Sequence, residues 1–227
     1  GVRLVGSEMC IRDRAYATST SVSTITGNSI PTDPGGLDIT FPTPFGAPPA
    51  VFTMVTTVND PQWVVSSVYD GNNIDNPPTA SQVSLYLNDN FESDGHGSAE
   101  DVDLIAIDVG SGDNNGVDFD ILNTDTDITH VPVTETFNVA FSTVPQVILT
   151  QQLTMNGANG SYSMIDIDTP PSTTGVTVAV EEGGAGADRS HTTEQLSIFA
   201  FQDASGDIIR TGAGQITSPP IDYDDVS

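Results

Sequence analysis

The sequence predicts an all-β protein built as two tandem antiparallel β-sandwich units of five to six strands each, with little helix. Three observations carry this expectation. A β-rich stretch occurs twice: Phe45-Gly-Ala-Pro-Pro-Ala-Val-Phe52 returns as Phe141-Ser-Thr-Val-Pro-Gln-Val-Ile148, and Glu100-Asp-Val-Asp-Leu-Ile-Ala-Ile-Asp-Val-Gly-Ser-Gly-Asp113 returns as Glu194-Gln-Leu-Ser-Ile-Phe-Ala-Phe-Gln-Asp-Ala-Ser-Gly-Asp207. Internal repetition of this kind decides architecture before any local signal does. Short runs rich in β-branched and aromatic residues are each bounded by Gly, Pro, Asn or Asp, which is strand-and-turn patterning. No segment places apolar residues at i, i+3, i+4 and i+7 between capping residues, and the chain has no lysine, a strong helix former.

In chain order, the first copy predicts strands at about 38–45, 50–58, 63–69, 82–88 and 101–108. The second predicts them at about 136–141, 146–154, 162–167, 175–182 and 194–202. Val83, Leu85 and Leu87 alternate with Ser84 and Tyr86, and Val176, Val178 and Val180 alternate with Thr177 and Ala179, so each run has one core-facing side. Val102, Leu104 and Ala106 alternate less cleanly with Asp103, Ile105 and Ile107, as in a strand near the middle of a sheet. Between the copies, Val109 to Gly116 is polar, and Val117 to Leu122 reads as an extra strand. The expected organisation is a foreign leader at 1–14, a Ser/Thr/Pro/Gly-rich lead-in at 15–37, repeat 1 at 38–112, repeat 2 with its leading strand at 113–207, and an acidic tail or the start of a third repeat at 208–227.

Charge is the second strong feature. There are 31 acidic residues against 5 basic ones, a net charge of −26. Such a surface repels phosphate backbones and anionic membranes, so neither nucleic acid nor membrane insertion is an expected partner. It suits high-salt solubility or divalent cations. No apolar run approaches the ~20 residues that span a bilayer as a helix. The one cysteine, Cys10, lies in Gly1 to Arg14, which also holds three of the five arginines and shares neither the composition nor the periodicity of the rest. That segment resembles the peptide obtained by in-frame translation of a sequencing-library adapter. Without it no thiol remains for a disulfide or a thiolate metal site.

The candidate site residues fall into three groups. His191 with Glu194, and His96 with Glu100, recur at equivalent places. Each pair can hydrogen-bond across a turn and pin the loop, or offer a ligand-binding group; one histidine and one carboxylate are thin for zinc. The carboxylates Asp113, Asp118, Asp120, Asp125 and Asp127 are candidate calcium ligands, because residues i and i+2 of a strand share a face and can present several oxygens to a hard cation. Asp166 and Asp168 form a further pair of this type. None satisfies an EF-hand loop, and such pairs also arise readily in a chain this acidic. Trp63, the sole tryptophan, and Tyr162 are aromatics on predicted strands, either core residues or sugar-stacking platforms. No nucleophile with a positioned base is duplicated, so no catalytic residue is assigned and an enzyme is not expected.

Phe137-Asn-Val-Ala-Phe141, Pro145-Gln-Val147, Asn156-Gly157, Val176 to Glu182 and Ser190-His-Thr-Thr-Glu194 ahead of Ile198-Phe-Ala-Phe201 form a recognisable order. It resembles the repeated extracellular β-sandwich domains of bacterial surface proteins that are similar to the H-type lectin fold. The resemblance covers about 136–202 well and 38–108 less well, where His96-Gly-Ser-Ala-Glu100 stands for His191-Thr-Thr-Glu194. It implies a secreted or cell-surface location, a tendency to form homo-oligomers, and partners among glycans, surface proteins or other domains of the same array. The family's sugar-binding aromatic and basic group near the last strand are not matched in Gln195 to Phe201. The expected function is therefore a non-enzymatic extracellular adhesion, binding or structural module of a larger repetitive surface protein, with no cofactor beyond calcium. The rival is a carbohydrate-binding accessory region of a secreted hydrolase, or a virion structural protein.

Overall fold

The computed structural model describes residues 15–22, 37–59, 64–69, 76–88, 98–114, 116–157, 160–182 and 190–203. Within them the chain is all-β, with thirteen strands and no helix. In order these are β1 (Ala15–Val22), β2 (Leu37–Thr40), β3 (Ala50–Val55), β4 (Val65–Tyr69), β5 (Gln82–Asn88), β6 (Glu100–Ile107), β7 (Gly110–Asn114), β8 (Val117–Asn123), β9 (Val133–Thr136), β10 (Val147–Gln152), β11 (Ser161–Ile165), β12 (Gly175–Glu182) and β13 (Leu196–Asp203).

Four antiparallel sheets result, with strand orders β2-β5-β4, β1-β6-β3, β9-β12-β11 and β7-β8-β13-β10. The first two sheets share a core in which Val83, Leu85 and Leu87 of β5 meet Val102, Leu104 and Ala106 of β6. The last two share another, in which Val176, Val178 and Val180 of β12 meet Leu196, Ile198 and Ala200 of β13. Period-two alternation in the middle strand of each sheet thus builds both cores, in a β-sandwich-like arrangement. The same aromatic plug closes each. Phe41 and Phe45 stack edge to face at 4.9 Å, and Phe137 and Phe141 do so at 5.1 Å. Each pair is anchored through its amides: Phe41 and Phe45 donate to the carbonyls of Ser81 and Ala80, Phe137 and Phe141 to those of Thr174 and Thr173. These anchors explain why the strand expected at 38–45 ends at Thr40 and why none runs over 137–141; the strand expected at 136–141 is replaced by β9, at Val133–Thr136. The amides of the phenylalanines are spent on a turn, and Pro42 and Pro44 have none to give.

Two strands were absent from the sequence expectation. β1, a Thr/Ser-rich run in the lead-in, pairs along its whole length with β6, from Ala15 opposite Ile107 to Val22 opposite Glu100. It holds the place in its sheet that β8 holds beside β13. β7 pairs with β8 as an antiparallel hairpin, with Asn114 opposite Val117. Gly116 has φ of 89°, the left-handed conformation that tight hairpin turns use. The segment expected as a polar connection is therefore an edge strand.

The two pairs of sheets meet along β3. One edge of β3 pairs with β6, and the amides of its other edge are met by side chains from β13 and β10. Val51 N–H donates to Ser197 Oγ at 3.0 Å, and Thr53 N–H to Gln151 Oε1 at 3.3 Å. Asn123 Nδ2 donates to the Pro49 carbonyl at 3.1 Å, and the Phe52 and Phe199 rings lie 6.1 Å apart. Tyr69, Tyr86 and Met155 form a small buried cluster across the same junction.

Candidate functional site

The loop before β13 places His191 in a closed polar centre. Nδ1 lies 2.9 Å from Glu182 Oε1 at the end of β12, and Nε2 lies 2.9 Å from Glu194 Oε1. All three side chains are almost fully buried. Glu194 is fixed by a two-way backbone bridge to Ile128, and its carboxylate also accepts from Thr154 Oγ1 and from the Gly157 amide at 3.1 Å. Ionised carboxylates only accept hydrogen bonds, so a ring facing one on each side has to donate from both nitrogens, which makes His191 an imidazolium. Burial is the largest single influence on His191 and pulls its pKa down. The hydrogen bonds to Glu194 and Glu182, with the charges of both, outweigh it, and the pKa stands above the ordinary histidine value.

Ser161, His191 and Glu182 have the outline of a nucleophile relay, with Ser161 Oγ 3.2 Å from His191 Nε2. The hydrogen-bond partners are wrong for one. Between two carboxylates, Nε2 is placed to donate to Glu194 at 2.9 Å rather than to take a proton from serine. The Ser161 hydroxyl donates to Gln152 Oε1 at 3.0 Å, and the residue is buried.

The first pair of sheets repeats half of this centre. Glu100 is buried at the start of β6; its oxygens accept from Thr57 Oγ1 at 2.5 Å and the Asn59 amide at 2.6 Å. The Asp101 amide donates to Thr57 Oγ1 as the Gln195 amide donates to Thr154 Oγ1. Asn59 Nδ2 caps the carbonyl of Ala99 as Asn156 Nδ2 caps that of Thr193. The repeated polar chemistry is thus a buried glutamate held by a threonine hydroxyl and a loop amide. His96 and Trp63 lie outside the described residues.

The calcium candidates do not converge. Asp120 is fully buried, and its two oxygens accept from the backbone and side-chain amides of Asn138 at 2.5 and 3.0 Å. Asp113 accepts from the Gly116 amide at 3.1 Å and so belongs to the β7–β8 turn, directly across from Asp118. Asp125 and Asp127 are exposed, and with burial they push the Glu135 pKa up. Asp166 accepts from the Asp168 amide in a local turn. Among the described residues no three of His, Cys, Asp and Glu form a metal-ligating group. Glu182, Thr154 and Gly157, the partners that define the His191 centre, were not singled out as site residues. Their only sequence signals were the Asn156-Gly157 pair and an acidic end to an apolar strand.

Tyr162 is exposed at 40% and lies beside a cleft of about 270 Å³ between β3 and β4 on one side and β10 and β11 on the other. Thr53, Ser66, Gln151 and Ser163 also line it. Compared with family models, curated proteins and solved structures, the chain matches none.

Proposed function

We propose that this chain is a non-enzymatic binding or structural module, two tandem β-sandwich units that act as part of an extracellular surface. The observation that carries the reading is the hydrogen-bond arrangement at His191. The described centre that comes nearest to a catalytic group has both ring nitrogens committed to buried carboxylates and its neighbouring serine committed to Gln152. Its role is to lock the loop before β13 onto β12 and the loop after β10. The matching clamp at Glu100 supports a duplicated scaffold, and the acidic surface supports an exposed setting at high ionic strength. A second reading, a carbohydrate-binding accessory region, is favoured by the exposed Tyr162 beside hydroxyl and amide groups.

Turnover is the test. The full chain and Ser161→Ala are incubated with activated ester, glycoside and peptide substrates. Equal rates, indistinguishable from buffer, are expected. Hydrolysis that disappears in Ser161→Ala would overturn the reading.

A further inference from the structure

The cleft at the junction of the two pairs of sheets differs from the rest of the molecule in one respect. In a chain with 31 acidic residues, none of the described residues lining it is charged. Its walls come from both halves, with β3 and β4 facing β10 and β11. We propose that this cleft binds an uncharged, hydroxyl-rich ligand, a segment of neutral glycan one or two sugar units long; the proposal rests on the binding-module reading above.

Three features support it. The surrounding charge of −26 disfavours anionic ligands, and the described lining has no carboxylate to pair with a cation, which favours a neutral ligand. The volume, about 270 Å³, is near the lower end for ligand pockets and suits a short segment. Tyr162 supplies an aromatic face on the wall, exposed although it stands on a strand paired to a buried neighbour. An aromatic ring with a polar tip suits a sugar, whose C–H faces stack and whose hydroxyls need partners.

The polar wall is organised in advance. Thr53 Oγ1 donates to Gln151 Oε1 at 2.9 Å, and it lies 2.7 Å from Ser66 Oγ. Because the Thr53 proton is committed to Gln151, Ser66 donates to Thr53 and keeps its lone pairs for an incoming hydroxyl. Gln151 Nε2 is held in turn by the carbonyls of Ser66 and Gln152, at 3.4 and 3.2 Å. Three strands from both halves therefore fix these groups before any ligand arrives, which lowers the ordering cost of binding.

The experiment is calorimetric titration of the full chain with a panel of neutral oligosaccharides (gluco-, manno-, xylo- and galacto-configured) and with an acidic oligogalacturonate, at low and high salt. Tyr162→Ala and Tyr162→Phe are run beside it, with melting curves as the folding control. At least one neutral oligosaccharide is expected to bind with little salt dependence, at least tenfold more weakly to Tyr162→Ala, and within threefold of the parent to Tyr162→Phe. The oligogalacturonate is expected not to bind. Neutral binding that survives Tyr162→Ala overturns the cleft assignment and leaves the binding-module reading standing. Preferred binding of the acidic sugar, or of none, overturns the proposal. The binding-module reading itself fails separately, through Ser161-dependent turnover.

Discussion

The ring of His191 fills the space that any side chain at Gly157 would need. A β-carbon built at position 157 falls inside contact distance of the His191 ring, Nε2 and Nδ1 included. Gly157→Ala should therefore push the imidazole out from between Glu182 and Glu194 and leave two buried carboxylates without their cation. Breaking one side of a buried ion pair costs about 3–5 kcal/mol, and a loss near 3 is expected after the loop relaxes. Gly46→Ala, where an added methyl meets nothing, should stay within about 0.5 kcal/mol of the parent. Urea unfolding of the two variants checks both, and equal stabilities would show that the loop gives way freely.

The same centre sets a pH dependence with a definite sign. The folded-state pKa of His191 is raised, so its contribution is fully present below the unfolded value of about 6.5 and is lost as pH rises through the folded value. The urea midpoint of the parent should fall through that window more steeply than that of His191→Gln, which cannot titrate there. Comparing the two slopes removes the contribution of the other groups. Parallel curves would mean that His191 is not held as an imidazolium.

Glu135 shifts in the same direction for another reason. Burial first, then the negative charges of Asp127 and Asp125, raise its pKa. Its ionised form therefore weakens the fold above its ordinary range. Glu135→Gln should stabilise the protein at neutral pH by a small amount, about 0.5 kcal/mol after solvent screening, and the gain should shrink in molar salt and vanish in acid. Thermal melts at pH 4 and pH 7, with and without salt, measure this.

At the junction, Ser197 Oγ accepts the Val51 amide and donates to Asn123 Oδ1 at 2.8 Å. Ser197→Ala leaves the buried Val51 amide without that acceptor, a loss of about 1.5 kcal/mol. Hydrogen exchange at Val51 should accelerate more than at the core strands β5 and β12. Unchanged protection there would mean the contact is incidental.

Much of the scaffold could be read from the chain, because the residues that build it obey a period of two. Val83, Leu85 and Leu87, and again Val176, Val178 and Val180, point to the cores that they form. β1 escaped because a Thr/Ser run has no apolar face to reveal it; pairing with β6 makes it a strand. β7 escaped because its Gly, Asp and Asn residues carry turn chemistry, and that chemistry belongs to the hairpin it shares with β8. The candidate site was half legible. The His191–Glu194 spacing suggested a bond across a turn, but Glu182 comes from a strand brought alongside by the sheet, and its place at the acidic end of that strand does not link it to His191. Asp120 was partly legible for the converse reason: alternation put it on one face with Asp118, but only the fold brings Asn138 over it.

The outer edge of β3 has a consequence for how such a molecule behaves in company. An open strand edge invites a foreign chain to lie beside it and continue the sheet, and proteins commonly guard against this with charge, proline or a bulge. Here Ser197 and Gln151 occupy those amides, and both come from the neighbouring pair of sheets. The joint and the guard are one structure, so loosening the joint would also unmask a template for aggregation.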